Sequence, residues 1–393
     1  MKLINQHLTT LVILLAISST VFASSDPLAN NLPQNKYPPA TLSNFYQCEN
    51  NALININDDE ASLNTVNYFG TSVSITLYNV EHKKAKSMLC NALSVIQEYH
   101  YLASNYSTYG HVTNIKTINE SPAEKHQIDP LLTELIAAGI DWHQRSGGYF
   151  NIALSPVIDL WRTHRFACLK GNSQASECSI PSQTELNHAA LLTNIDDVSL
   201  DRVHNTVRMK PGMSIDLGGI AKGWMAEKVY DQLKVDGAEQ FIINAGGNIR
   251  HLGLHPEGRQ FATAVEDPVC KKSNYQLAKC NEPSGQYHEV ITGKDITVVS
   301  SGNYLRYFVV NGQQYHHLID PKTLYPKPKG IATTVVLNSH QLYADVISTM
   351  LFLMPLQTAL DYVNKRDYIE AVWYLNEQGD KVKSNKFDSF TGN

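Results

Sequence analysis

Ser214-Ile215-Asp216-Leu217-Gly218-Gly219-Ile220-Ala221-Lys222-Gly223 carries a carboxylate, three glycines and a cation in ten residues, just ahead of a helical pattern. Glycine lets a ligand or metal come close to backbone because no Cβ stands in the way. The free N–H groups and dipole of a helix N-terminus favour an anion. The segment is therefore suited to a phosphate-bearing molecule. It matches neither standard phosphate motif. Lys222 is followed by Gly223 rather than by the Ser or Thr of a P-loop, and Gly218 and Gly219 are adjacent where a dinucleotide fingerprint spaces them. A tight strand-to-helix turn with an N-capping Asp216 explains the same residues without any ligand.

The elements around this segment are mixed. Val73, Ile75 and Leu77 alternate with polar residues, which predicts a half-buried strand. Ala85, Met88, Leu89, Ala92, Leu93 and Ile96 line one face of a helix. A second helix starts at Asp129-Pro130, an N-cap followed by Pro at N1, and ends at Gly147-Gly148. Residues 163–182 are polar and read as an inserted loop. Strands are predicted at 241–243 and 333–337, and around 370–374 as the last. Tyr304 to Val310 and Gln314 to Ile319 flank Asn311-Gly312, a strong hairpin signal. Helices follow near 342–354 and 357–365. Strands and helices mix without regular alternation, so the expected class is α+β, with largely antiparallel sheets and packed helices.

The N-terminus speaks to compartment. Lys2, the apolar run Leu11 to Ile17 and Val21-Phe22-Ala23 read as a secretory signal peptide cut after Ala23. The run is too short to span a bilayer, and no later run approaches that length. The expectation is an exported, periplasmic protein without stable membrane insertion. Residues 24–60 read as an extended lead-in. A net charge of −5 without a basic tract argues against nucleic acid as a partner. The six cysteines are even in number and suit an oxidising compartment. Cys168/Cys178 and Cys270/Cys280 are each suited to closing a surface loop, which leaves Cys48/Cys90 as a third bridge. No C-x-x-C occurs, so a zinc or thioredoxin reading has little support.

Other segments carry chemistry. Asp345 and Thr349 are i,i+4 neighbours on a helix, a carboxylate and a hydroxyl that together suit Mg²⁺. A helix-start Asp and a Thr bonded to its own backbone would look the same. Ser301-Gly302-Asn303-Tyr304 offers hydroxyl, glycine and aromatic groups for a flavin or adenine ring. His317 is open to three roles: base, ligand or satisfied core residue.

The order of these segments is more specific than any one of them. Gly70-Thr71, Ser107-Thr108-Tyr109 with Asn119, Ser146 to Phe150, Asp216 to Gly223, Asn244-Ala245-Gly246-Gly247-Asn248, Ser301 to Tyr304, His317-Leu318-Ile319-Asp320-Pro321 and Ala344-Asp345 with Thr349 follow one another along the chain. The series resembles the FAD:protein FMN transferase (ApbE-like) family over roughly residues 65–375. The resemblance implies an ApbE-like domain over residues 61–393. It implies FAD as substrate, Mg²⁺ as cofactor and FMN transfer to a Thr or Ser of an acceptor domain, of a membrane redox complex, with release of AMP. Metal ligands would be Asp345, Thr349 and backbone oxygens near Gly219 and Ser348. Flavin and adenine contacts would come from Phe69, Tyr109, Tyr149, Phe150, Asn151, Asp216, Lys222 and Ile319. The Ala245-Gly246-Gly247 turn and Ser301, Gly302, Asn303 and Tyr304 would line the same cleft. Asp345 and Lys222 would stabilise charge on the phosphates, and His317 would place or deprotonate the acceptor hydroxyl.

Two departures stand out. Phe150-Asn151-Ile152-Ala153 replaces the family's Phe-Asp-x-Thr, removing a carboxylate and a hydroxyl. Leu324 follows Thr323 where the family usually has Gly. A pyrophosphatase that gives FMN and AMP, and a non-catalytic FAD carrier, are the alternatives these changes leave open.

Overall fold

The computed structural model describes residue 48 and residues 53–391, apart from 59, 111, 171–177, 283–284 and 339–341. The leader predicted at 1–23 and most of the lead-in lie outside the described residues.

Nine strands form one sheet: Ile54–Ile56, Glu60–Thr65, Val73–Tyr78, Phe241–Ala245, Asn248–Leu252, Thr297–Gly302, Ala332–Leu337, Ile369–Tyr374 and Lys381–Lys383. Their order across the sheet is their order along the chain, and every neighbouring pair is antiparallel. The sheet is thus a meander into whose connections helices are inserted. The sheet reaches into the lead-in, since Ile54–Ile56 pairs with Glu60–Thr65. The helices are α1 (His82–Ala103), α2 (Ile115–Glu120), α3 (Pro130–Arg145), α4 (Ser155–Lys170), α5 (Gln183–Ala190), α6 (Ala221–Val235), α7 (Pro268–Lys272), α8 (Ala344–Leu353) and α9 (Leu356–Asn364).

Helices α1, α6 and α8 pack on one face, so Leu63, Ile75, Leu89, Ile96, Met225, Val229, Ile347 and Met350 share one core. Every residue of Ala332–Leu337 and Ile369–Tyr374 is buried, because a smaller cluster around Val298, Val336, Tyr374 and Phe387 covers the opposite face. Continuous apolar runs rather than alternation mark such two-sided strands. Among the described residues, no helix is long and apolar enough to cross a membrane.

The local signals explain most boundaries. Asp129 caps α3 by accepting the Leu131 N–H, with Pro130 at N1. Asn311 and Gly312 both take positive φ, the geometry of a two-residue hairpin loop. The hairpin is shorter than its sequence predicts, pairing Tyr307–Val310 with Gln313–His316. Tyr304 to Arg306 and His317 to Ile319 leave the ladder and line a cavity instead. Residues 163–170, expected in an irregular loop, are the second half of α4. No Gly or Pro interrupts the chain there, and buried Val157 and Trp161 anchor the helix, so polar composition alone misled. The strand at 369–374 is followed by another, Lys381–Lys383.

All three disulfides are formed: Cys48–Cys90, Cys168–Cys178 and Cys270–Cys280. The first spans 42 residues of sequence and the other two span ten each. Loop-closure entropy makes the first worth about 4 kcal/mol and each of the others about 3 kcal/mol. Denaturant titration is therefore expected to show a larger stability loss for Cys48→Ala/Cys90→Ala than for Cys168→Ala/Cys178→Ala. Equal losses would contradict the assignment of the first bridge as the main covalent restraint.

Candidate active site

The decapeptide Ser214–Gly223 is held from two sides. The Asn119 side chain pairs with Ile215 as a strand would, its amide donating to the Ile215 carbonyl at 2.8 Å and its oxygen accepting the Ile215 N–H at 2.9 Å. The Asp216 N–H donates to the Ile152 carbonyl at 2.8 Å. Asp216 does not cap α6. The N-cap is Ile220, with no side-chain bond, and Asp216 instead accepts the Gly218 N–H at 2.7 Å, closing a local turn. Asn105, itself held by Asn119, donates to the other Asp216 oxygen at 3.4 Å. A Cβ on Gly219 would lie 2.9 Å from the Phe150 ring, so the turn closes only with glycine there.

Asp345 sits in the first turn of α8 and is 7% exposed. One carboxylate oxygen accepts the Gly223 N–H at 2.7 Å and faces the Lys222 ammonium at 3.4 Å. The other accepts the Asn248 amide at 2.9 Å. Gly223 lets α6 and α8 approach: a Cβ there would stand 3.1 Å from the Asp345 backbone nitrogen. Glycine inside a helix costs about 1 kcal/mol relative to alanine, so this position trades helix stability for close approach. One turn on, the Thr349 hydroxyl lies 3.4 Å from the Ser301 hydroxyl, which contacts Ser348 at 2.9 Å.

These groups converge on one cavity of about 370 Å³, within the size range of small-molecule sites, roughly 300–1,000 Å³. Tyr149, Phe150, Asn151, Asp216, Gly219, Lys222, Gly246, Gly247, Ser301, Gly302, Tyr304, His317, Ile319, Asp345 and Thr349 all line it. Five expected residues do not. Ala245 is buried at the strand end, where the next residue, Gly246, packs on Thr71. Ser348 is fully buried, donating to the Asp345 carbonyl. Asn303 donates to the Gly330 carbonyl. Phe69 and Tyr109 both turn to His100, which accepts the Phe69 N–H at 3.1 Å on Nδ1 and meets the Tyr109 hydroxyl at 3.2 Å on Nε2.

The two departures are absorbed by the wall. Asn151 accepts the Ala153 N–H and donates to the Thr193 carbonyl, both at 2.9 Å. A carboxylate there has no proton for the second bond. Ala153 is fully buried, with no hydroxyl to satisfy. Leu324 takes φ +66°, the left-handed region that favours glycine. Its carbonyl accepts the Trp161 indole N–H at 2.8 Å and its N–H donates to Asp320, which hold it in that conformation.

His317 reaches solvent at the cavity mouth. The crowding of protein around the ring, then the nearby Arg306 cation, push its pKa down to about 3. Its exposed surface makes the cations the firmer cause of the two. The ring is therefore neutral at physiological pH.

Among the described residues no group of three or more His, Cys, Asp and Glu could hold a metal. The cavity wall nevertheless presents the Asp345 carboxylate, the Thr349 and Ser301 hydroxyls and the Asn248 side-chain oxygen, which is buried without a hydrogen-bond partner. An oxygen-only set with an orphaned acceptor fits a hard cation such as Mg²⁺.

Sequence reading did not single out Asn248, Gly223, Asn105 or the cavity-lining Arg162, Arg165 and Arg306 as candidate site residues. Asn248 carried a signal, ending the Gly246-Gly247 turn. The arginines carried none, since their convergence is purely tertiary.

The model of the ApbE family matches residues 69–373. The FAD:protein FMN transferase of Klebsiella pneumoniae is 30% identical over 225 residues, covering 57% of this chain and 62% of that protein. The match thus spans less than two thirds of that relative's length. The FAD:protein FMN transferase of Vibrio cholerae is 26% identical, covering 63% and 68%. The ApbE protein of Thermotoga maritima superposes with a TM-score of 0.69 at 26% identity, covering 85% of this chain and all of that one. With the family model spanning well over half of its length, the chain belongs to the ApbE family.

Proposed function

We propose that the chain is an exported, Mg²⁺-dependent FAD:protein FMN transferase, moving FMN from FAD to a Thr or Ser hydroxyl of an acceptor protein of a membrane redox complex and releasing AMP. Family membership supports the reaction class, and the names of the Klebsiella and Vibrio relatives support the substrate. One observation carries the reading: Asp345, with Thr349 one turn on, is fixed at the cavity wall beside the Gly218-Gly219 turn, the Lys222 ammonium meeting both Asp345 and the Gly218 carbonyl.

In the proposed transfer the acceptor oxygen bonds to the FMN phosphorus, and the bond from that phosphorus to the bridging oxygen breaks, leaving AMP. A bound Mg²⁺ supplies Lewis-acid stabilisation of the phosphate oxygens, with Asp345, Thr349 and Asn248 as its holders. Lys222 adds fixed positive potential beside those oxygens. The neutral His317 accepts the hydroxyl proton on a ring nitrogen. Phe150, Tyr149 and Tyr304 supply apolar wall for the rings.

Incubation with FAD, Mg²⁺ and an acceptor domain carrying one accessible Thr is expected to give flavin fluorescence on a denaturing gel and AMP in solution. Free FMN without labelled protein would assign a pyrophosphatase, and unchanged FAD a carrier. Asp345→Ala is expected to abolish labelling, and an unchanged rate would remove Asp345 from the site.

The pH dependence has a definite sign. The Arg306 and Arg165 cations beside the exposed ring hold the His317 pKa below its ordinary value, so deprotonation is complete at a lower pH than for a free imidazole. The transfer rate is expected to lack the acidic limb that an ordinary imidazole gives near pH 6.5. A limb there that disappears in His317→Ala would contradict the depressed pKa.

A further inference from the structure

One face of α4 runs out of the cavity onto the surface. Arg162, Arg165, Phe166 and Leu169 stand at i, i+3, i+4 and i+7, a single helical stripe. The two arginines line the cavity, while Phe166 and Leu169 lie beyond it, 47% and 65% exposed. Val309 of the neighbouring hairpin continues the apolar surface at 49% exposure. The Cys168–Cys178 bridge joins the two parts, its Cys178 sulfur lying 3.8 Å from the Val309 carbonyl.

Charge on this rim is unbalanced. Arg162 pairs with Asp159. Among the described residues, neither Arg165 nor the exposed Arg306 forms an ion pair, and the Arg165 Nε is buried without a partner. Burial and then Arg306 lower the Arg165 pKa, as expected of cations crowded together. Exposed apolar side chains interleaved with arginine are the composition of a protein-binding surface, and scattered single residues would not form such a stripe.

We propose that this α4–hairpin rim is the docking surface for the acceptor protein, and that the acceptor presents carboxylates close to its reactive hydroxyl. The proposal rests on the transfer reading above. The diphosphate of FAD is the competing anion for the arginines. It does not account for Phe166, Leu169 and Val309, which lie off the cavity lining where a bound dinucleotide leaves them uncovered. A macromolecule seated over the mouth covers both sets, and its hydroxyl then enters beside His317.

The test uses the mature chain, FAD and two versions of one acceptor domain, its single accessible Thr flanked by Asp or by Asn. Phe166→Glu/Leu169→Glu is expected to raise the KM for the Asp-flanked acceptor ~10-fold or more, leaving the KM for FAD within about twofold, because both residues lie off the cavity lining. The unmodified chain is expected to prefer the Asp-flanked acceptor, and that preference is expected to shrink at high salt and in Arg306→Glu. In Phe166→Glu/Leu169→Glu, an unchanged acceptor KM, or a parallel rise in the KM for FAD, would overturn the docking surface while labelling by the unmodified chain upholds the transferase. A dimer lost in Phe166→Glu/Leu169→Glu would assign the rim to a second copy and also overturn it. No labelling by the unmodified chain would defeat the transferase reading, and the docking surface with it.

Discussion

A buried carboxylate is the constraint on which the site depends. Desolvating Asp345 is costly unless hydrogen bonds replace its water, and removing a partner from a buried charge is more damaging than never burying it. Its partners come from elsewhere in the chain: the Gly223 N–H and Lys222 from α6, and the Asn248 amide from the strand Asn248–Leu252. Asp345 therefore ties α8 to α6 and to the sheet at one point. That point is the wall of the cavity, with the Gly218-Gly219 turn just before α6.

The same elements are joined a second time, deeper in the core. Glu227, one turn beyond Gly223 on α6, meets Arg250, two residues along the strand from Asn248, at 3.1 Å. Both side chains are 1% exposed. Thr297 donates to Glu227 at 2.8 Å, and the Arg250 guanidinium stacks 3.8 Å over the Tyr230 ring. Among the described residues the Arg250 Nη2 is buried without a hydrogen-bond partner, so the pair is better read as fixing geometry than as adding stability. It holds α6 at the register that aims the Gly223 N–H at Asp345.

Local signals made much of the fold legible. Alternation in Val73 to Tyr78, the cap at Asp129-Pro130 and the Asn311-Gly312 loop each act within a few residues, so the chain states them directly. Glycine turns and the Asp345–Thr349 spacing likewise pointed to residues that line one cavity. What stayed hidden depends on partners remote in sequence. Asn119 became a strand mimic only because Ile215 lies beside it. Phe69 and Tyr109 matched a pattern of flavin contacts, and both meet His100, the first through its backbone N–H and the second through its hydroxyl. Polar residues at 163–170 read as loop because the apolar face that anchors α4 lies earlier in the helix. The altered Asn151–Ala153 wall looked like lost chemistry from sequence, and in three dimensions both changes are locally satisfied.

In the proposed function, the seat of Asp345 rather than the carboxylate alone makes the Mg²⁺ site. Gly223→Ala tests it most directly, because its methyl group pushes on the Asp345 backbone while leaving every proposed ligand in the sequence. Mg²⁺ binding would be measured by calorimetry on the FAD-loaded variant and on the unmodified chain, with thermal unfolding as the check on folding. The account predicts a folded protein whose Mg²⁺ affinity drops by about 10- to 100-fold, as when support around a metal ligand is disturbed. Undiminished affinity in a folded Gly223→Ala protein would contradict it.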